Sequence, residues 1–508
     1  MNSRWPESNA TPAAVLLLAV IVAGAALAGM MTALVGSLAG PRAIYYAAIF
    51  GLILAGALVA LTRREPLRFV FFALILCFPI ASAEVPPGRF ELSVFDVVMT
   101  LVAGGLLLSW IMTPRAERSP LFPSTALAIT WILAIPCVLF AQIPVLTTKI
   151  FVVSFGVYAF FLLTLEEAKR KGGFERLVGT FALVLIVLAL GCFAERVLHV
   201  NLSLRGTNLN QLSYGQSGFE IYRAGGFFQD PQKAATFFAC MVAFMVVLAV
   251  RGRFRDSGLN LLVWIAIVLG AAALLTTVSR AAIAACLAMS VLALFLFNRW
   301  SAASKIAVGV GGLLALVGLV LTPAEVWRDL LPAAVMERFR TPGEDWAIRV
   351  RIWFDTWNMF ADHPLTGVGF GGFRDYLKAT QPTTFNYYGM GDAAGLPYVP
   401  DNPESGYFKI LYEGGILGSL AVAVAVLAAL TRAIRVIGSR RAEASARTEV
   451  LASVVGLLVF GVTFVTLFTP SDGRLAALVA FFFALIWHRS LELERPAPAA
   501  RASSWNRR

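Results

Sequence analysis

Arginines and carboxylates must carry any chemistry this chain performs, because the other usual catalytic groups are scarce or badly placed. Histidine is limited to His199, His363 and His488, and the five cysteines lie inside apolar runs without metal-ligand or redox-pair spacing. No disulfide, metal site or cofactor is therefore expected. Three segments stand out. Arg223 opens Arg-Ala-Gly-Gly-Phe-Phe-Gln-Asp-Pro, where the glycine pair predicts a fixed turn and Asp230 and Pro231 read as the N-cap and first residue of a helix. Arg280 follows Thr277-Val278-Ser279 and opens another helix, where the macrodipole opposes a cation by about 0.3 to 1 kcal/mol. A bound phosphate or a carboxylate such as Glu404 would compensate it. The third segment, Pro400 to Gly418, places Asp401 and Glu404 just before a helix and Glu413 about two turns inside it. Capping accounts for the first two acids as well as catalysis does, but it does not account for Glu413.

These residue types suit one reaction class. When a sugar leaves a lipid diphosphate for an acceptor hydroxyl, guanidinium groups neutralise the departing diphosphate and a carboxylate takes the acceptor's proton. Such transfer needs no nucleotide, in keeping with a sequence that has no Walker or dinucleotide loop. The competing reading of Arg223 is a headgroup anchor at the membrane surface. A transporter would instead need charges near the middle of its spans, whereas Asp96 and Glu413 fall near span ends.

The elements that must position these residues are transmembrane helices. With 58% hydrophobic and only 14% charged residues the chain cannot hide its apolar surface in a soluble core. Apolar stretches of roughly the 20 residues needed to cross a bilayer run near 13–37, 42–62, 67–83, 92–112, 121–141, 145–166 and 174–198. They continue near 230–250, 257–278, 280–298, 304–322, 404–431, 449–468 and 474–488, about fourteen in all. The first reads as a retained span rather than a cleaved signal. The net charge of +12 gathers in alternate short loops, such as Lys169-Arg170-Lys171 with Arg176, and Arg251, Arg253 and Arg255. That alternation is a topology signal, not a nucleic-acid surface, and it predicts that both termini are cytoplasmic.

Two longer connections, 199–229 and 323–403, fall on the outer side by this topology, and connections of that length are usually functional. Within the second, Trp346, Val350, Trp353, Trp357 and Phe360 share one helical face and predict an amphipathic helix over 344–361. Gly367, Gly369, Gly371 and Gly372 then predict a turn where backbone approaches something closely.

Four segments together resemble the O-antigen ligase and polymerase superfamily of bacterial membrane glycosyltransferases. They are Arg223 to Pro231, Thr277 to Ala281, Arg351-Ile352-Trp353 through Pro364 to Gly371, and Asp401 to Gly418. The resemblance implies an all-α, GT-C-like fold and an undecaprenyl-diphosphate-linked oligosaccharide as donor, in the bacterial inner membrane. It implies diphosphate contacts from Arg223 and Arg280, and a catalytic base at Glu404 or Asp401. Substrate contacts would come from Arg349, Arg351, Asn402, Tyr407 and Trp353. A growing polysaccharide or lipid acceptor, membrane lipids, a flippase and a chain-length regulator are the implied partners, without nucleic acid. Ligases that act on lipid A core typically carry histidine where this chain has only acids. The sequence therefore favours a polymerase of repeat units, with ligation and small-anion transport as the alternatives. The organisation expected is N-terminal spans in 1–198, the ligase/polymerase-like core in 199–431, C-terminal helices in 432–490 and a disordered tail in 491–508.

Overall fold

Runs of apolar residues too long for a loop and free of internal breakers have to pair their backbone within a helix once water is excluded. A computed structural model of the chain describes residues 66–76, 78, 84–85, 92–112, 122–198, 211–214, 219–228, 230–254, 258–297, 349–350, 352–354, 356–380, 403–465 and 473–494. The apolar stretches near 13–37, 42–62 and 304–322, and the proposed tail, lie outside those residues.

The remaining stretches are helical. They form α1 (Pro66–Leu76), α2 (Val94–Met112), α3 (Thr125–Leu139), α4 (Pro144–Ala168), α5 (Gly173–Leu198), α6 (Pro231–Val250), α7 (Gly258–Thr276) and α8 (Arg280–Phe297). Two short helices of the large connection follow, α9 (Trp357–Asp362) and α10 (Phe373–Thr380). The order closes with α11 (Gly406–Gly438), α12 (Ala444–Thr463) and α13 (Gly473–Glu494). Among the described residues seven helices are long and apolar enough to cross a membrane, and α2, α3 and α8 contain shorter apolar segments.

Starts are set by local chemistry. Ser124 accepts the Leu127 N–H at 3.4 Å ahead of α3, and Asp230 accepts the Gln232 N–H at 2.7 Å ahead of α6, with Pro231 at the first position. The chain is not purely helical. Two small antiparallel ladders occur, β1 (Glu84–Val85) with β2 (Leu92–Ser93) and β3 (Gln211–Tyr214) with β4 (Phe219–Tyr222). The second ladder pairs Gln211 with Tyr222 and Tyr214 with Phe219, so part of the first long connection is an ordered hairpin leading straight into Arg223.

Helix α6 is the central post: 83% of its apolar window is buried, against 28% for α4 and α11. Phe237, Phe238 and Phe244 on α6 are fully covered, and Phe244 meets Phe481 and Phe482 of α13 at 5.6 and 5.3 Å. The outer helices keep apolar side chains such as Ile132, Val268, Leu287 and Ile434 more than 60% exposed, the surface expected where lipid replaces water.

Ion pairs fix which helix ends lie together. Arg253, just past α6, pairs with Glu449 in the first turns of α12 at 2.8 Å and with Glu175 at the start of α5 at 2.7 Å. Glu449 also receives Arg489 from the last turns of α13 at 2.6 Å. Beside them Glu167, at the end of α4, is held by Arg68 at 2.9 Å and Arg176 at 2.7 Å. This end of the bundle therefore collects the basic clusters, and the helices run antiparallel away from it. At the opposite end lie the starts of α6, α11 and α13 and the ends of α5 and α12: the Gly406 N–H donates to the Phe464 carbonyl at 2.9 Å, and Arg474 Nη1 to the Phe227 carbonyl at 3.3 Å.

Glu449 is 1% exposed and anchors two guanidinium groups, so its loss strands buried charge. Removing one member of such a set typically costs about 3 to 5 kcal/mol. Glu449→Ala is thus expected to lower the detergent-solubilised unfolding temperature and the inserted yield, whereas a change at the half-exposed Glu492 barely moves either.

Candidate functional site

At the end away from the basic clusters, the strap that follows β4 is built around Arg223. Arg223 is buried, at 5% exposure, and its Nε donates to the Thr277 carbonyl at 2.9 Å. The neighbouring Ala224 N–H donates to the Thr276 carbonyl at 3.2 Å. Arg223 therefore does have a local task, in contrast to the sequence reading: it ties its strap to the turn between α7 and α8. That turn is strained. Val278 has φ +53°, a left-handed conformation that a β-branched residue rarely adopts. The strain delivers the chain into Arg280 as the first residue of α8, where it is half-buried.

The second group gathers at the start of α11. Glu404 does not cap that helix: Ser405 is the N-cap residue and makes no side-chain capping bond. Glu404 instead takes φ +51° and accepts Arg349 Nε at 3.0 Å. Val278 and Glu404 are the non-glycine residues with positive φ among those described. Strain of this kind costs about 1 to 3 kcal/mol per residue and persists only where the surroundings enforce it. Trp353 braces the same corner, donating from its indole nitrogen to the Pro403 carbonyl at 2.7 Å and stacking on Phe408 at 4.7 Å. The Tyr412 hydroxyl donates to the Trp353 carbonyl at 2.6 Å. Tyr407 is half exposed, its hydroxyl donating to the Gly461 carbonyl at 2.7 Å. Arg351, Asp401 and Asn402 lie outside the described residues.

The two groups share one end of the bundle. Helices α6 and α12 are antiparallel neighbours, so the strap before α6 sits by the end of α12, and Phe464 at that end accepts the Gly406 N–H. Arg223 and the α7–α8 turn are joined directly, as are Arg349, Trp353 and Glu404.

The glycine-rich segment has a clear structural task. Helix α11 is broken at Gly415, which has φ +59° and ψ −157°, a region essentially reserved for glycine. In an unbroken helix Ile416 and Leu417 would donate to the carbonyls of Tyr412 and Glu413. Here those carbonyls accept the Val368 and Gly369 N–H groups at 3.0 and 2.9 Å, while Ile416 and Leu417 donate to Pro364 and Leu365 at 2.9 and 3.0 Å. The inserted loop thus satisfies all four groups that the break releases, as a broken helix in a membrane protein requires. A Cβ at Gly415 would lie 2.6 Å from the Leu365 carbonyl carbon and the Gly367 nitrogen. Gly415→Ala is accordingly expected to expel the loop, seen as new protease sensitivity within 363–373 and loss of inserted protein.

Glu413, just before the break, is 3% exposed and pairs with Lys409 at 3.5 Å, with the Phe373 N–H at 3.4 Å. This ion pair has the i,i+4 spacing that stabilises a helix, and Lys409 went unnoticed in the sequence although that spacing is visible there. The predicted single stripe over 344–361 is also corrected. Thr356 acts as the cap of a new helix at Trp357, so Trp353 packs on Phe408 while Trp357 stays half exposed. Nearby, the Tyr376 hydroxyl donates to Asp362 at 3.2 Å; burial, then the Asp362 charge, raises its pKa above the usual tyrosine value.

Residues 265–423 match the O-antigen ligase family. This stretch is an O-antigen ligase domain. It takes in Arg280, Arg349, Trp353, Glu404, Tyr407 and the loop-filled break of α11, while Arg223 enters the site from outside the domain through its bond to Thr277. No curated protein matches the chain in sequence. The domain places the protein in the O-antigen ligase/polymerase superfamily, in which lipid-linked glycan and membrane lipid are the setting.

Proposed function

We propose that the protein is a GT-C-like membrane glycosyltransferase that moves glycan from undecaprenyl diphosphate to a sugar hydroxyl on the periplasmic face of the bacterial inner membrane, polymerising polysaccharide repeat units. In this reading Arg223 and Arg280 neutralise the diphosphate as it leaves, and Glu404 or Asp401 takes the acceptor proton. The observation that carries it is the sharing of one bundle end by the strained turn of Arg280, bonded to Arg223, and the strained, arginine-held Glu404. Positioned guanidinium groups stabilise charge that develops only as the bond breaks, and a carboxylate fixed nearby completes the acid–base pair. The basic clusters at the other end support cytoplasmic termini, and the three apolar stretches outside the described residues would bring the spans to fourteen.

Polymer made by cells carrying Arg349→Ala tests the site without touching the diphosphate arginines. Freed from its partner, Glu404 loses its fixed orientation, and polymer yield is expected to fall about tenfold. Arg349→Lys, which keeps the charge but not the planar fork, should be intermediate. Wild-type polymer from both variants would remove Glu404 from the proposed machinery. Transfer to a lipid A core acceptor, with a single glycan added per acceptor, would reassign the reaction to ligation. Counterflow of a small anion without any glycan product would reassign it to transport.

A further inference from the structure

We propose that Glu195 is a positioning residue for Arg223, acting through the strap 223–228; this rests on the reading of Arg223 as a diphosphate-handling group. Glu195 lies on α5, far from the motif segments in sequence, and is fully buried. Its Oε2 accepts the Gly225 N–H at 2.9 Å and the Gly226 N–H as well, so one carboxylate oxygen holds two successive backbone donors of the strap.

The face of α5 that carries Glu195 is shaped for this seat. Gly226 has φ +51°, and a Cβ there would lie 2.9 Å from Cys192 Sγ. One residue earlier on the helix, a Cβ at Gly191 would meet the Phe227 ring at 2.5 Å. Gly191, Cys192 and Glu195 thus form one patch on which residues 225–227 lie. From the other side Arg474, 3% exposed at the start of α13, donates to the Phe227 carbonyl at 3.3 Å and covers the Phe228 ring at 4.3 Å. Arg223 is two residues from the first of these contacts and carries the bond onward to Thr277, next to Arg280 in the strained turn. A shift of the strap on α5 is therefore passed to both diphosphate arginines. A buried carboxylate is costly unless its oxygens are hydrogen-bonded, and the backbone donors that satisfy Glu195 are those of the strap.

Turnover of undecaprenyl-diphosphate-linked repeat unit by the purified full-length protein tests the inference. Glu195→Ala should lower kcat by about ten- to a hundredfold, since misplacement of a catalytic group by about 1 Å has that effect. Glu195→Gln keeps an oxygen that accepts both N–H bonds, so its rate should stay within about threefold of wild type. In an Arg223→Lys background, which retains the charge but loses the fork, Glu195→Ala should add less than about threefold, because both changes act on the same contact. Fully multiplicative losses in that double variant would overturn the inference, as would wild-type kcat for Glu195→Ala. If Glu195→Ala fails to insert, Gly226→Ala displaces the strap by another route: a loss comparable to that expected for Glu195→Ala supports the inference and a wild-type rate overturns it. Wild-type rates for Arg223→Lys and Arg223→Ala would instead sink the assignment of Arg223, a failure distinguishable from that of Glu195.

Discussion

Arg280→Ala lowers turnover of a purified lipid-diphosphate-linked repeat unit by about 10²- to 10³-fold, the usual consequence of removing one preorganised donor from developing negative charge. The protein should remain inserted, because Arg280 is half-buried at the first residue of α8 and the fold does not depend on it. The strained Val278 holds that first residue in place, and the Arg223 bond to Thr277 braces the turn from the strap. Arg280→Lys should recover part of the rate, since a point charge survives but bidentate contact with phosphate does not. Wild-type turnover by Arg280→Ala would mean that the start of α8 does not meet the diphosphate.

Glu404→Gln carries the second large effect, a loss of about 10²- to 10⁴-fold, the range for general acid–base catalysis. The substitution preserves shape, keeps an oxygen facing Arg349 and leaves the left-handed backbone in place. What it removes is the ability to take a proton. The comparison with Asp401→Asn assigns the base. If that variant is the inactive one and Glu404→Gln turns over within a few fold, Asp401 takes the proton and the Arg349–Glu404 pair orients the segment. If both turn over normally, neither acid is catalytic.

Much of this architecture is legible in the sequence because a bilayer demands helices of one length. The boundaries of α6, α7 and α8 fall within a few residues of the apolar runs that predict them. The Asp230–Pro231 start is legible for a local reason, since an acid at the cap and proline at the next residue satisfy one helix end without outside help. The glycines after Pro364 announce a close approach, but not to what. Their partner is a break in a helix some fifty residues on, and only tertiary structure brings the four freed backbone groups to them.

Other features leave no local trace. Glu404 reads as a cap by spacing, yet its partner Arg349 is distant in sequence and helix α11 begins at Gly406 without its help. Glu195 and Arg474 are single charges in apolar surroundings, and their contacts are to backbone groups 30 and 247 residues away. Helical periodicity misled at 344–361, because the stripe ignores the new start at Thr356 that turns Trp353 and Trp357 to different surroundings. The hairpin of β3 and β4 was hidden in a connection whose side chains carry no strong alternation.

The most direct test supplies the purified protein with undecaprenyl-diphosphate-linked repeat unit and no nucleotide sugar, and follows both products. The account predicts that lengthened glycan on the lipid and free undecaprenyl diphosphate accumulate together, in equal amounts. Inert lipid-linked substrate, or chain growth that begins only when a nucleotide sugar is added, would contradict it.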